Sequence, residues 1–383
     1  MSVNSDSQAT ARRRNWLGVG YDDWQLASAI LVSKIVLFLF AAQAFSALAD
    51  ESIGGFRQSL ELWNRWDSLP YLEIAEHGYR SAGDSINRLV LFPLFPWCVR
   101  LITLMTHDYL ISGIVISTIA VIIAAIAFRR LTALDYDGAL ANRAVWFLLI
   151  FPTAFYFQIA YAEALFMALA IGAFVAARKH RWLLAGTLGC FASMTRINGA
   201  LLAPALAIEA FIQLRNTRQW RWHYLWLGLI PIGFGIYLFI NYRVSGNSFK
   251  FMQIQHDHFF KHVTWPWIGI RDRIGYIWSD QPMDAVTTGW QESLFILIGL
   301  VGTVISWCTL RTSYSVWMTL NWLLFTSAGF ILCVPRYTLA MFPLFILFAR
   351  FAQNSIWFAV LTVWSLLFLA LFVGIFIQGF WLS

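Results

Sequence analysis

Charge is what this chain has least of. Only 12% of its 383 residues are Asp, Glu, Lys or Arg, about half the share found in an average soluble domain. That scarcity excludes an ordinary water-soluble globule. Cysteine is sparse too: Cys98, Cys190, Cys308 and Cys333 lie in or beside apolar runs with no metal-type spacing, so they read as reduced thiols and leave the redox compartment open. There is no GxxxxGK[ST] loop to cradle phosphates, no GxGxxG after a strand and no HExxH for zinc. No internal repeat and no low-complexity linker divides the chain.

What is present is grease and aromatic rings. Hydrophobic residues make up 59% and aromatics 17%, a composition suited to a protein that meets both acyl chains and headgroups. Spans of about 20 apolar residues cross a bilayer as helices, and shorter ones do so when bent or tilted. The pattern predicts an all-α, polytopic membrane protein with about eleven transmembrane helices, at 26–48, 109–127, 144–160, 163–177, 181–195, 199–213, 224–242, 292–310, 315–333, 337–350 and 355–378. One integral domain, 26–383, follows a cytoplasmic tail, 1–25.

The formal net charge of +7 does not point to nucleic acid, because its basic residues stand in short clusters between apolar segments. Arg12 to Arg14, Arg129/Arg130/Arg143, Arg178/Lys179/Arg181, Arg215/Arg218/Arg221, Arg311 and Arg350 fall in alternate loops when 91–106 is left out of the bilayer core. The positive-inside rule then puts those loops and the N-terminus in the cytoplasm and makes 91–106 a membrane-surface helix. Lys34 lies near the cytoplasmic end of the first span and reads as a snorkelling side chain. Two large loops face the other side, at 49–108 and 243–291.

The first of these loops carries NRWDSLPYLEIAEHGYR, residues 64–80. Pro70 suits a first helical turn, and Leu69, Leu72, Ala75 and Tyr79 repeat at helical spacing, predicting an amphipathic helix at the interface. Asp67 at its start is the residue most suited to chemistry; the plain alternative is a helix N-cap. Arg196 and Arg336 fall at the outer ends of spans beside Asn198 and Tyr337. Ionisable groups at such depths are costly and usually functional, and both are placed to face one external cavity and hold an anion; headgroup anchoring is the alternative. Asp135-Tyr136-Asp137 has the DxD form but sits in a DYDG turn. His256, His258 and His262 lack the further ligands a metal site needs; a loop that contacts ligand, His256 included, is the reading preferred. No metal or cofactor is expected.

RWDSLPYLEIAEHGY followed by LFPLFP resembles the signature of the PIG-V-type mannosyltransferases, relatives of the GPI mannosyltransferase 2 enzymes. FPTAFYFQIAYAEALF, TRINGALL and PRYTLAMFPLF are similar to later motifs of that family and occur in its order between about 63 and 346. The resemblance implies a GT-C-like membrane glycosyltransferase, a hexosyltransferase whose donor is a polyprenyl- or dolichyl-phosphate-linked sugar and whose acceptor is a glycolipid or glycan. Its site would be extracytoplasmic or lumenal, at a bacterial inner membrane or the endoplasmic reticulum. Carried over residue by residue, it puts Asp67 in the catalytic position with Arg65, Trp66, Tyr71, His77 and Tyr79 around it. Glu163, Arg196, Asn198, Arg336 and Tyr337 match other motifs as substrate-binding candidates. Mannose rests on the family name alone. Two other readings stand beside this one: a transporter or flippase of lipid-linked sugars, and a non-catalytic subunit of a glycan-assembly complex.

Overall fold

The computed structural model describes residues 20–380, so the arginines at 12–14 lie outside the described residues. Helices dominate it, and the only β pairing among the described residues is an isolated bridge between Val263 and Ala328. Six helical stretches are long and apolar enough to cross a membrane: 22–49, 109–132, 197–217, 222–245, 282–309 and 355–377. That makes the chain a multi-pass membrane protein.

By length and apolarity the eleven expected spans are not confirmed. Five of the expected ones are shorter helices: α6 (Gly138–Ile150), α7 (Glu163–Arg178), α8 (Trp182–Ser193), α14 (Thr312–Thr326) and α16 (Pro343–Phe351). The long helices around them are α1 (Tyr21–Ala49), α5 (Tyr109–Thr132), α9 (Leu202–Thr217), α10 (Leu229–Ser245), α13 (Glu292–Thr309) and α17 (Ser355–Ile377). Expected span 144–160 breaks after Ile150 because Pro152 lacks the N–H that the ladder needs. Span 315–333 stops at Thr326, where the chain turns to pair with the second large loop: Thr264 N–H donates to the Ser327 carbonyl at 3.1 Å and Gly329 N–H to that of His262 at 2.8 Å. Span 337–350 becomes a short helix α15 (Val334–Thr338), a break, and α16 opening on Pro343.

The N-terminal boundary also moves. α1 begins at Tyr21 rather than 26, and Asp22 and Asp23 at its start meet Arg129 and Arg130 at the end of α5, at 2.7 and 2.6 Å. Lys34 does not snorkel. Its ammonium turns into the bundle and donates to Thr118 Oγ1 at 2.5 Å and to the Gln158 carbonyl at 2.7 Å. The break after α6 leaves that carbonyl without a helical partner, and a buried carbonyl needs a donor.

The short helices α2 (Phe56–Glu61), α3 (Ser68–His77), α4 (Leu94–Thr106), α11 (Lys250–Asp257) and α12 (Pro266–Gly275) belong to the two large loops. α4 is bent 109° from the 3-10 turn Gly83–Val90 before it. Trp97, Leu101, Leu104 and Met105 form an exposed apolar stripe along it, which suits a helix lying in a bilayer interface. The core gathers around α5 and α7, where Phe128, Phe166 and Phe174 are fully buried. α1 and α17 instead expose Ile35, Leu39, Val363 and Leu367, the outward apolar face expected of helices that meet lipid.

Polar groups collect at two ends. Glu163 and Arg178 are the first and last residues of α7, separated by about 22 Å at the helical rise. At the Arg178 end, Asp135 pairs with Arg178 at 2.7 Å, Glu209 with Arg311 at 2.6 Å, and Arg350 donates to the Thr309 carbonyl at 2.9 Å. Arg178, Arg311 and Arg350, three of the basic positions expected on one side, thus share one end of the bundle. Asp137 caps α6 by accepting from Leu140 N–H at 2.7 Å, so both carboxylates of the DxD are engaged in turn and pair contacts.

Glycine decides how closely α8 and α10 approach. A Cβ at Gly233 would stand 2.0 Å from the Cys190 carbonyl oxygen and 3.1 Å from the Ser193 side chain, far inside contact distance. Small residues let membrane helices pack backbone to backbone. Gly233→Ala is expected to cost about 1–3 kcal/mol as the helices part, read as a fall of several degrees in the thermal midpoint of the detergent-solubilised protein. An unchanged midpoint would mean that the contact is not tight.

Candidate active site

The end of the bundle opposite Arg178 holds the sequence candidates. α3 begins at Ser68 as its pattern predicts, and the residue before Asp67 sets how it starts. Trp66 has φ +52°, a left-handed conformation uncommon for a bulky residue, and the chain turns sharply there. Asp67 occupies the N-cap position, yet its carboxylate accepts no hydrogen bond from the helix. The plain capping role therefore fails, and the side chain points elsewhere. Its Oδ2 accepts from Arg336 Nη1 at 2.5 Å. Among the described residues no hydrogen bond reaches Oδ1.

Arg336 comes from α15, which also starts after a left-handed residue, Cys333 at φ +69°. Glu292 on α13 steadies that turn by accepting from the Cys333 and Val334 amides at 2.7 and 2.8 Å. The Arg336 guanidinium lies 4.9 Å from the Tyr156 ring centroid and 4.7 Å from that of Tyr161, a cation–π cradle. Both rings belong to the irregular segment after α6, which further holds the Arg336 turn through Thr153 Oγ1, donating to the Pro335 carbonyl at 2.9 Å. Tyr161 also donates to the Arg65 carbonyl at 2.9 Å, fixing the backbone just before Asp67.

Glu163 joins these pieces. It is buried, and its Oε1 pairs with both Arg196 and Arg336. An acidic residue in the first turn of a helix is favoured by the macrodipole, so the N-terminus of α7 is a suitable place for it. The result is a chain of four charges, Asp67–Arg336–Glu163–Arg196, drawn from four widely separated segments. Asn198 is buried and donates to Asn321 on α14 at 2.6 Å, which ties the Arg196 turn to the bundle.

A cavity of about 520 Å³ opens beside this chain of charges, lined by Asp67, Tyr71, Arg196, Asn198, Arg336 and Tyr337. Tyr71 is buried edge-on against Phe95, with centroids 5.2 Å apart. Burial, and then the nearby Glu163 carboxylate, push its phenol well above the ordinary tyrosine range. Phe92, Phe251, Phe325, Phe330 and Ile331 give the wall an apolar stretch.

Other candidates lie outside this cavity. His77 is exposed and stands 3.7 Å from Glu76. His256 is exposed and bonds Asp257 at 2.7 Å, while Gln255 and His258 beside it line the cavity. Trp66 is 37% exposed, and Tyr79 donates to the Leu91 carbonyl at 2.8 Å. Arg65 does not line the cavity, though it lies beside Asp67 in the chain. Among the described residues, no three His, Cys, Asp or Glu side chains stand close enough to share a metal ion.

One charged cavity residue is not singled out in the sequence reading. Lys261, from the second large loop, lines the cavity and sits 5.7 Å from the Tyr337 ring centroid, as Arg196 does at 5.6 Å. It was hidden as one of several charges in a polar loop.

No family model and no curated protein matches the chain. Among solved structures, a crystal structure of the Archaeoglobus fulgidus oligosaccharyltransferase in complex with zinc and sulfate is similar, with a TM-score of 0.43 and 11% identity. The similarity covers 91% of this chain and 53% of the other, so the chain spans about half that protein's length.

The four-charge chain carries its own test. Removing one partner of a buried ion pair strands the other and costs about 3–5 kcal/mol. Glu163→Gln is expected to lower the thermal midpoint sharply, whereas Glu76→Gln on the exposed face of α3 leaves it unchanged. The double variant Glu163→Gln/Arg336→Met should lose less than the sum of the two single losses, since each single change strands the other member of the pair and the double change removes both. Strict additivity would show the two side chains to be independent.

Proposed function

We propose that this chain is a membrane glycosyltransferase that takes a sugar from a polyprenyl- or dolichyl-phosphate donor and transfers it to a hydroxyl of a glycolipid or glycan. The observation that carries the reading is the lining of the cavity: among the described residues Asp67 is its one carboxylate, cations stand beside it, and Phe92, Phe251, Phe325, Phe330 and Ile331 supply an apolar stretch of wall. The resemblance of the Asp67 stretch to the mannosyltransferase signature supports the same reading, and mannose as the sugar comes from that resemblance alone.

The chemistry fits those groups. The acceptor hydroxyl gives its proton to Asp67, and its oxygen bonds to the anomeric carbon. The bond from that carbon to the phosphate oxygen breaks, and the electron pair leaves on the phosphate. One carboxylate suffices as general base, because a phosphate departs as a stable anion and needs cations rather than an acid to receive it. Arg336 engages Oδ2 of Asp67, which orients the carboxylate and leaves Oδ1 for the proton. Glu163, behind the cavity and bound to both arginines, serves as a positioning residue for them. In this reading the Arg178 end faces the cytoplasm, in keeping with its basic loops, and the Asp67 end faces outward, where a lipid-linked donor presents its headgroup.

Asp67→Asn keeps the shape of the side chain and removes the base. With purified protein in nanodiscs, radiolabelled polyprenyl-phosphate-mannose and a lipid and glycan extract of the source cells, wild type is expected to label a new product. Asp67→Asn should be slower by at least about 10²-fold, the scale of general-base catalysis. Equal rates for the two proteins would remove Asp67 from the mechanism.

A further inference from the structure

Lys261 has chemistry that the arrangement above leaves unused. Among the described residues lining the cavity, Arg196 and Arg336 are ion-paired, both to Glu163 and Arg336 also to Asp67. Two guanidinium charges thus meet two carboxylates, a neutral set. Among the described residues Lys261 makes no ion pair with any carboxylate; its ammonium lies over the Tyr337 ring. Burial acts to lower its pKa, but Tyr337, Cys333 and Asp67 raise it by more, and the net direction is upward. The cavity therefore carries a cation that its own carboxylates do not offset. A half-buried charge of that kind is costly unless an anion answers it.

The surroundings of Lys261 indicate what the anion is attached to. Phe259 and Phe260, the two residues before it, line the cavity while remaining 38% and 70% exposed. Beyond them Val263 is exposed, and Trp265 and Trp267 stack at 4.9 Å as an exposed aromatic pair. Cation and aromatic exit thus stand side by side in one loop, and exposed tryptophans of this kind are at home at headgroup level.

We propose that Lys261 is the phosphate-binding residue of this cavity, and that it selects a singly charged phosphate diester carrying an apolar chain, whose tail leaves over Phe259 and Phe260. The ammonium is a compact charge with three donors, enough for one phosphate. With the arginines already matched by Asp67 and Glu163, a diphosphate would bring more negative charge than the ammonium of Lys261 offsets. This rests on the lipid-phosphate reading of the site, and it gives the receiving role to Lys261 in place of Arg196 or Arg336.

The test measures binding without transfer, using sugar-free probes. Wild type, Lys261→Gln and Lys261→Arg in nanodiscs are titrated with radiolabelled farnesyl methyl phosphate, a singly charged diester. Unlabelled farnesyl diphosphate, farnesol and inorganic phosphate serve as competitors. Lys261→Gln should bind the diester at least tenfold more weakly, and Lys261→Arg within about threefold of wild type. Farnesyl diphosphate should compete less well than the unlabelled diester. Farnesol and inorganic phosphate should compete poorly, because each lacks half of what the cavity recognises; strong competition by inorganic phosphate would make this a free-phosphate site and overturn the lipid part. Equal diester affinity in wild type and Lys261→Gln, or tighter binding of the diphosphate, overturns the proposal. Thermal midpoints are compared first, and Lys261→Met, which keeps the apolar stem against Tyr337, replaces Lys261→Gln if that variant is unstable. Lys261-dependent binding in a protein that transfers no sugar would sink the transferase reading and leave this assignment standing.

Discussion

Arg336 holds the functional end of the molecule together. Its guanidinium contacts Asp67 from the first large loop and Glu163 from the start of α7, and it lies against Tyr156 and Tyr161 of the segment between. Four parts of the chain meet on one planar group. A guanidinium suits this better than an ammonium would, because its fixed fork serves two carboxylates while its faces stack on rings. Ion pairing in a poorly solvated place contributes little net stability when complete and is costly when broken. The consequence is geometric: Asp67 has a defined place only while α15, α7 and the Tyr156–Tyr161 segment are all docked.

That dependence explains the irregular backbone nearby. A lone arginine can reach two carboxylates only if the segments bearing them turn inward, and regular spanning helices would carry the side chains along parallel axes. Trp66 and Cys333 take left-handed conformations just ahead of Asp67 and Arg336. Strained backbone persists where the surrounding structure over-determines it; here Glu292 caps the second turn and Tyr161 holds the first.

Much of this could be read from sequence, and the limits have physical causes. A carboxylate following Trp66 at the start of an amphipathic helix is conspicuous in a chain with so little charge, and α3 lies where its periodicity places it. Arg196 and Arg336 stand out because arginine is rare within apolar segments, and they do share one cavity. Apolar length, however, cannot separate a spanning helix from two short ones joined by a buried turn, so 144–160 and 315–333 passed as spans although Pro152 and the Ser327–Gly329 pairing end them. Lys34 misled for a related reason: its depth suits snorkelling, and only the break after α6 creates the Gln158 carbonyl that draws it inward. Lys261 and His256 sit in one polar loop with equal claims by sequence. Which of them turns into the cavity depends on the pairing of that loop with the strand-like stretch after α14, a contact between residues far apart in the chain.

The breaks and the cavity are therefore one feature of the fold. Inside a bilayer, backbone that leaves the helical ladder is tolerated only where protein or a polar cavity satisfies its N–H and C=O groups. Three breaks lie at this end, at 151–162, 194–201 and 327–342. The latter two contribute cavity lining, and the first supports the Arg336 turn through Thr153 and its tyrosines. Each is held from outside itself: Thr153 of the first meets the Pro335 carbonyl of the third, Asn198 of the second meets Asn321 on α14, and Lys34 on α1 meets Gln158 of the first. A chain with eleven uninterrupted spans would lack these mutually satisfied turns, and with them the inward-facing carboxylate and cations that give the cavity its chemistry.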